Sequence, residues 1–180
     1  MNNWHILTEC YVDTLLVEEL SHSQKGYNHQ HSCTKVLNTM KTKLQDVSAL
    51  GIIDDDKSVP KDLDAFLLLK QANAQLSILK HKDKPHYIVV ISKAIEEFIL
   101  KNAQNCDISL LDYGLPNNLN DFLKITKHLN SKREENNANI ANLKHLFKAI
   151  KKNEKSDFHK LAQWIEIFKE NPYHLNKELL

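Results

Sequence analysis

Three acids stand where strands run out. Glu9 follows Trp4-His5-Ile6-Leu7-Thr8, a short apolar run that suits a buried strand. Asp54 and Asp56 follow Val47 to Ile53, an apolar run cut off by Asp54-Asp55-Asp56-Lys57. In an open parallel sheet, ligands bind outside the carboxyl ends of the strands, so both sets fall where a site forms. On extended backbone, residues i and i+2 point to the same side. Asp54 and Asp56 are therefore expected to converge while Asp55 turns away. Gathered carboxylates repel unless a cation sits among them, and an oxygen-only set suits Mg2+ or Mn2+. Such an ion polarises a phosphoryl oxygen or activates a water. The chemistry these residues point to is metal-assisted attack on a phosphate ester.

The elements that must position them alternate. After the first run, Val12, Leu15, Leu16 and Leu20 recur at helical spacing. Ser21 to Ser32 reads as a polar loop rich in His and Asn, and Thr34 to Leu44 as a second helix with Val36, Leu37, Met40 and Leu44 on one face. Past the acids, Asp62 to Lys70 reads as a short helix. Gln75 to Lys80 and His86 to Ile91 read as a hairpin around Lys82-Asp83-Lys84. The second of these, Tyr87-Ile88-Val89-Val90-Ile91, is apolar and β-branched, the clearest strand of the chain. Ser92 is placed to cap a helix reaching about Asn102.

Beyond about residue 105 strand signals vanish. Three helical patterns follow: Leu119, Phe122, Leu123 and Leu129; then Ile140, Leu143, Phe147 and Ile150; then Phe158, Leu161, Ala162, Ile165 and Phe168. Strands alternating with helices imply an α/β fold with a small, mostly parallel sheet flanked by helices over residues 1–105. Residues 106–180 form an all-helical C-terminal appendage, packed on that sheet or on a partner.

Composition narrows the field. The chain has 180 residues, 42% hydrophobic and 26% charged, with a formal net charge of +1. That is globular composition without a global basic field to draw nucleic acid. Three scattered cysteines make no disulfide framework and suit the cytoplasm. Neither a signal-peptide pattern nor a run of apolar residues long enough to span a membrane is present. Three glycines leave no room for a glycine-rich phosphate loop.

Two stretches resemble a known family. Leu7-Thr8-Glu9-Cys10-Tyr11-Val12-Asp13 resembles the first motif of toprim (topoisomerase–primase) domains, where a strand ends in Glu, usually followed by Gly, and an Asp opens the next helix. Gly51-Ile52-Ile53-Asp54-Asp55-Asp56-Lys57 resembles the second, a strand ending in Asp-x-Asp. Cys10 stands where that Gly is usual, and Lys57-Ser58 replaces a Gly common after the second motif. The likeness covers roughly residues 4 to 105 and looks closest to the toprim part of overcoming-lysogenization-defect (OLD) nucleases and their small stand-alone relatives. It implies a divalent-metal-dependent nuclease that hydrolyses phosphodiester bonds of DNA or RNA. Glu9, Asp54 and Asp56 would then be the metal ligands and catalytic acids. Asp13 and Glu96 would be additional acids near the metal. The likeness also implies an ATPase partner protein or a homo-oligomer, and a role in phage defence. The alternative is a non-catalytic toprim-like regulatory or binding subunit of a larger, ATPase-containing complex.

Other residues carry two readings each. Asp13 and Glu96 also suit the first turns of helices, where the dipole favours an acid. Lys35 and Lys57 are candidate phosphate contacts or solvated lysines. His22, His29, His31 and Cys33 are ligand types, but their spacing does not match a zinc site, and they read as a polar loop. Lys124, Lys127, Lys132, Arg133, Lys144, Lys148, Lys151, Lys152 and Lys155 form either a nucleic-acid face or the solvated sides of amphipathic helices.

Overall fold

A computed structural model describes residues 5–21, 28–55, 61–129 and 137–180. Asp56, Lys57, His22, Lys132 and Arg133 lie outside these described residues. The fold is α/β. Six strands form one sheet: β1 (Ile6–Thr8), β2 (Asn28–His29), β3 (Ala49–Asp55), β4 (Phe66–Gln71), β5 (Leu76–His81) and β6 (His86–Ser92). Their order is β2-β1-β3-β6-β5-β4. The first four in that order run parallel, and β5 and β4 are antiparallel additions. The helices are α1 (Tyr11–Leu20), α2 (Cys33–Thr42), α3 (Ile95–Asn105), α4 (Leu119–Lys127), α5 (Ala138–Lys151) and α6 (Asp157–Glu170). No described helix is long and apolar enough to cross a membrane.

The period-two alternation of the strands builds two cores of unequal size. Ile6, Leu50, Ile52, Tyr87, Val89 and Ile91 face the larger one, with α1 and the buried faces of α3, α4, α5 and α6. Leu7, Ala49, Ile53 and Ile88 point the other way, onto α2. On that side Gly51 permits close approach, because a Cβ there would sit 2.6 Å from the Ile88 side chain and 2.8 Å from Val36. The C-terminal helices thus share one apolar cluster with the sheet and α1. Helix α1 is buried along nearly its whole length, against α5 and α6 as well as the sheet.

Three expectations are corrected. The stretch Asp62 to Lys70 is not a helix: Lys61–Ala65 forms a 3-10 turn and Phe66–Gln71 is strand β4. Leu and Lys are good helix formers, but local propensity is a weak force beside tertiary pairing, and the ladder with β5 overrides it. The loop from Ser21 to Ser32 contains β2, which pairs with β1. Helix α3 is preceded by Ala94 rather than capped by Ser92, because Lys93 takes a left-handed conformation (φ 64) between strand and helix. The β5–β6 hairpin and the three C-terminal helices fall where their patterns predict.

Candidate functional site

The turn from β1 into α1 is locked by hydroxyls. Thr14 Oγ1 donates to the Cys10 carbonyl at 2.9 Å and lies 2.6 Å from Thr8 Oγ1. Cys10 caps α1 reciprocally with Asp13: its Sγ accepts from the Asp13 N–H, and its N–H donates to Asp13 Oδ2 at 2.9 Å. The backbone at Cys10 is extended (φ −129), a conformation open to any residue, so this turn does not require glycine. Burial, then the Asp13 charge, pushes the Cys10 thiol far up, so it is no thiolate nucleophile.

Glu9 leaves this turn into a cleft of about 650 Å³. Asp54 and Asp55 from the end of β3, Glu96 from the first turn of α3, and His31, Lys93 and Lys127 line it too. Asp13 lies beneath, 1% exposed. Glu9 Oε2 and Asp13 Oδ1 are buried without a hydrogen-bond partner. Burial above all, then the charges of Asp54 and, to a lesser degree, Glu9, holds the Asp13 carboxyl well above the usual carboxylate range. The charges of Asp54 and Glu9 thus both act on Asp13.

Two of the acids also hold the fold together. Asp54 Oδ2 accepts from the Ile95 N–H at 3.3 Å, so β3 supplies the cap that α3 lacks in its own sequence. Glu96, itself buried, accepts from Thr126 Oγ1 at 2.7 Å and ties α3 to α4. Asp55, expected to turn away, lines the cleft with Asp54. The cleft wraps around the end of β3, where Asp55 lies exposed and its backbone pairs antiparallel with that of Lys93.

Some cleft residues escape a reading of the sequence. His31 and Lys93 both have positive φ (72 and 64). Such backbone costs a non-glycine residue roughly 1–2 kcal/mol, and strain of this kind clusters at functional sites. β2 places His29 opposite Thr8, and the Gln30 N–H donates to the Thr8 carbonyl, so His31 arrives beside Glu9's turn. The His31 ring meets His29 edge-on at 4.0 Å, and His29 stacks on Tyr11 at 4.0 Å. The only signal for this in the sequence is the alternation of His29 and His31, and it becomes legible once β2 is known to be a strand.

Other candidates fall elsewhere. Lys35 is exposed on the first turn of α2 and does not line the cleft. Cys33 packs toward the α2 core rather than with the histidines. Lys144 and Lys148 face Glu19, Lys124 pairs with Asp121, and Lys151 donates to the Leu20 carbonyl. Much of the expected basic face thus serves internal contacts, while Lys127 stands exposed at the cleft.

Among the described residues no three His, Cys, Asp or Glu side chains are gathered tightly enough to hold a metal as they stand. The donor set nevertheless fits a hard cation. Two buried carboxylate oxygens lack partners, and a third acid adds negative charge to the same spot. No family model, no curated protein and no solved structure matches the chain.

Proposed function

We propose that the protein is a divalent-metal-dependent nuclease of toprim type, hydrolysing phosphodiester bonds at the cleft between β1 and β3. The observation that carries this reading is the pair of unpartnered, buried oxygens, Glu9 Oε2 and Asp13 Oδ1, beside Asp54. An uncompensated buried carboxylate is costly, and a cation removes that cost. Glu9 and Asp54 would hold Mg2+ or Mn2+, and Asp56, outside the described residues, is the further ligand that the resemblance implies. Bound there, the ion supplies Lewis-acid polarisation of a phosphoryl oxygen and an acidified water. The chain's own residues do the rest. Lys127 and Lys93 draw the phosphate backbone of DNA or RNA to the acids. His31, at the same rim, is within the cleft to hold or pass a proton at its imidazole. Asp13, whose carboxyl is pushed toward its protonated form by burial and the neighbouring acids, would give up that proton once a bound cation supplies the opposing charge. An ATPase partner, a cytoplasmic location and a role in phage defence belong to the same proposal and rest on the resemblance alone.

A second reading has its own support. Asp54 and Glu96 are engaged as a helix cap and a helix tie, as they would be in a non-catalytic binding subunit. The two readings part on one experiment: single- and double-stranded DNA and RNA incubated with the full chain and Mg2+ or Mn2+. The nuclease reading expects metal-dependent cleavage that Glu9→Ala abolishes while circular dichroism stays unchanged. Nucleic-acid binding without cleavage under any metal, or equal cleavage by Glu9→Ala, overturns it.

A further inference from the structure

We propose that the cavity between α2 and the start of β4 is a binding site for a small, uncharged, planar molecule that carries a hydrogen-bond acceptor. It lies at the end of the sheet away from the acids. Phe66 opens β4, His81 closes β5 and His86 opens β6, whereas Asp54 sits near the carboxyl end of β3. The cavity holds about 310 Å³, the size of a small-molecule site. Leu37 and Met40 line it from α2, and Ala65 and Phe66 from the 3-10 turn and β4. Helix α2 shares its core with Leu7, Ala49, Ile53 and Ile88, while Phe66 and Leu79 stay only partly buried against that core. Apolar surface therefore remains here for a ligand to cover.

Shape, hydrogen bonding and charge each constrain the ligand. The Phe66 and His81 rings meet at 80° with centroids 5.0 Å apart, and the Met40 thioether lies in the same cavity; a flat ring suits such a corner. The acceptor follows from His81. Its Nδ1 accepts from the Asp83 N–H at 3.0 Å and from the Lys84 N–H at 3.2 Å. A nitrogen that accepts twice carries no proton, so the proton sits on Nε2. That N–H has no hydrogen-bond partner among the described residues, which leaves a fixed donor at the cavity. Neutrality follows from the rim, where Lys41 and Lys84 balance Asp62 and Asp83. Both lysines are engaged, Lys41 with Asp62 at 3.4 Å and Lys84 with Asp46 at 3.1 Å. His86 donates from Nε2 to the Leu44 carbonyl at 2.9 Å, and burial holds both histidines toward their neutral forms. An ionic ligand would be desolvated here without a counter-charge.

The two methionines of the chain are Met1 and Met40, so a 13C-methyl methionine label places a signal in the cavity wall. NMR titration of the labelled full chain with acetophenone, toluene, benzoate and benzylamine tests the proposal. Acetophenone is expected to shift the Met40 signal with a Kd of about 1 mM. Toluene, which cannot accept a hydrogen bond, is expected to bind about fivefold more weakly, and the two ions at least about tenfold more weakly. His81→Phe keeps a ring and removes the N–H, and is expected to bring acetophenone down to the affinity of toluene. Ala65→Trp, at a half-buried position on the wall, is expected to abolish binding of both with unchanged circular dichroism. A Met40 signal unmoved by about 10 mM acetophenone overturns the proposal. So does an ion that binds as tightly as acetophenone, a preference for acetophenone over toluene that survives in His81→Phe, or undiminished binding by Ala65→Trp.

Discussion

Asp13 and Asp157 are both buried acids in the first turn of a helix, and their surroundings are opposite. Asp157 is fully engaged. Asn73 Nδ2 donates to one of its oxygens and Asn102 Nδ2 to the other, while its own N–H donates to Asn102 Oδ1 at 2.8 Å. It ties α6 to α3 and to the β4–β5 turn. Asp13 uses one oxygen on the Cys10 N–H, keeps the other bare, and faces the charges of Asp54 and Glu9. A buried acid with both oxygens hydrogen-bonded explains itself through stability. One left half-paired among like charges does not, and it points to something the protein binds.

The largest effect separates the two regions by activity. Glu9→Ala or Asp54→Ala is expected to lower metal-dependent cleavage by at least about 100-fold. Glu9→Ala should leave the melting temperature nearly unchanged, whereas Asp54→Ala should lower it as well, since α3 loses its cap. Asp157→Ala is expected to act through stability alone. It leaves two amides without their acceptor, at a cost of about 2–3 kcal/mol in urea denaturation, with Mn2+ affinity by calorimetry unaltered. A loss of Mn2+ affinity in folded Asp157→Ala would collapse the distinction between the two acids.

Asp13→Asn should have the contrary sign. Asp13 holds its proton more tightly folded than unfolded, so the folded state binds more protons once pH passes the ordinary value of 3.8. Stability from this group therefore falls as pH rises from 3.8 toward its elevated folded value. The amide removes that dependence, so denaturation followed against pH should be flatter and, near neutrality, the variant should be more stable than the wild type. Added Mn2+ should reverse the ranking by stabilising the wild type more. The smallest effect is expected from Thr126→Val. It strips Glu96 of its hydroxyl partner and costs about 1 kcal/mol in chemical denaturation, with the cleavage rate changing only if Glu96 also serves the cleft.

How far the sequence foretold this depends on whether a residue's neighbours are local. Strands β3 and β6 and helices α5 and α6 announce themselves by period, since their apolar faces are continuous. Glu9 and Asp54 were legible because an apolar run that stops at an acid marks a strand end. β4 was not, because Phe66-Leu67-Leu68-Leu69 becomes a strand only through β5, its partner across a turn. His31 and Lys93 were hidden for a related reason. Their placement rests on left-handed backbone that only the finished sheet imposes. The role of Asp54 as cap of α3 joins residues 41 positions apart, a link no local pattern carries.

The chemistry of the cleft turns on whether a divalent cation belongs between Glu9 and Asp54. Crystals soaked in Mn2+ and measured at the manganese absorption edge answer this directly. A single strong anomalous peak in contact with the Glu9 and Asp54 carboxylates, lost in Glu9→Ala crystals, is the predicted result. A cleft without anomalous density, or a peak at His29 and His31 alone, would contradict the account.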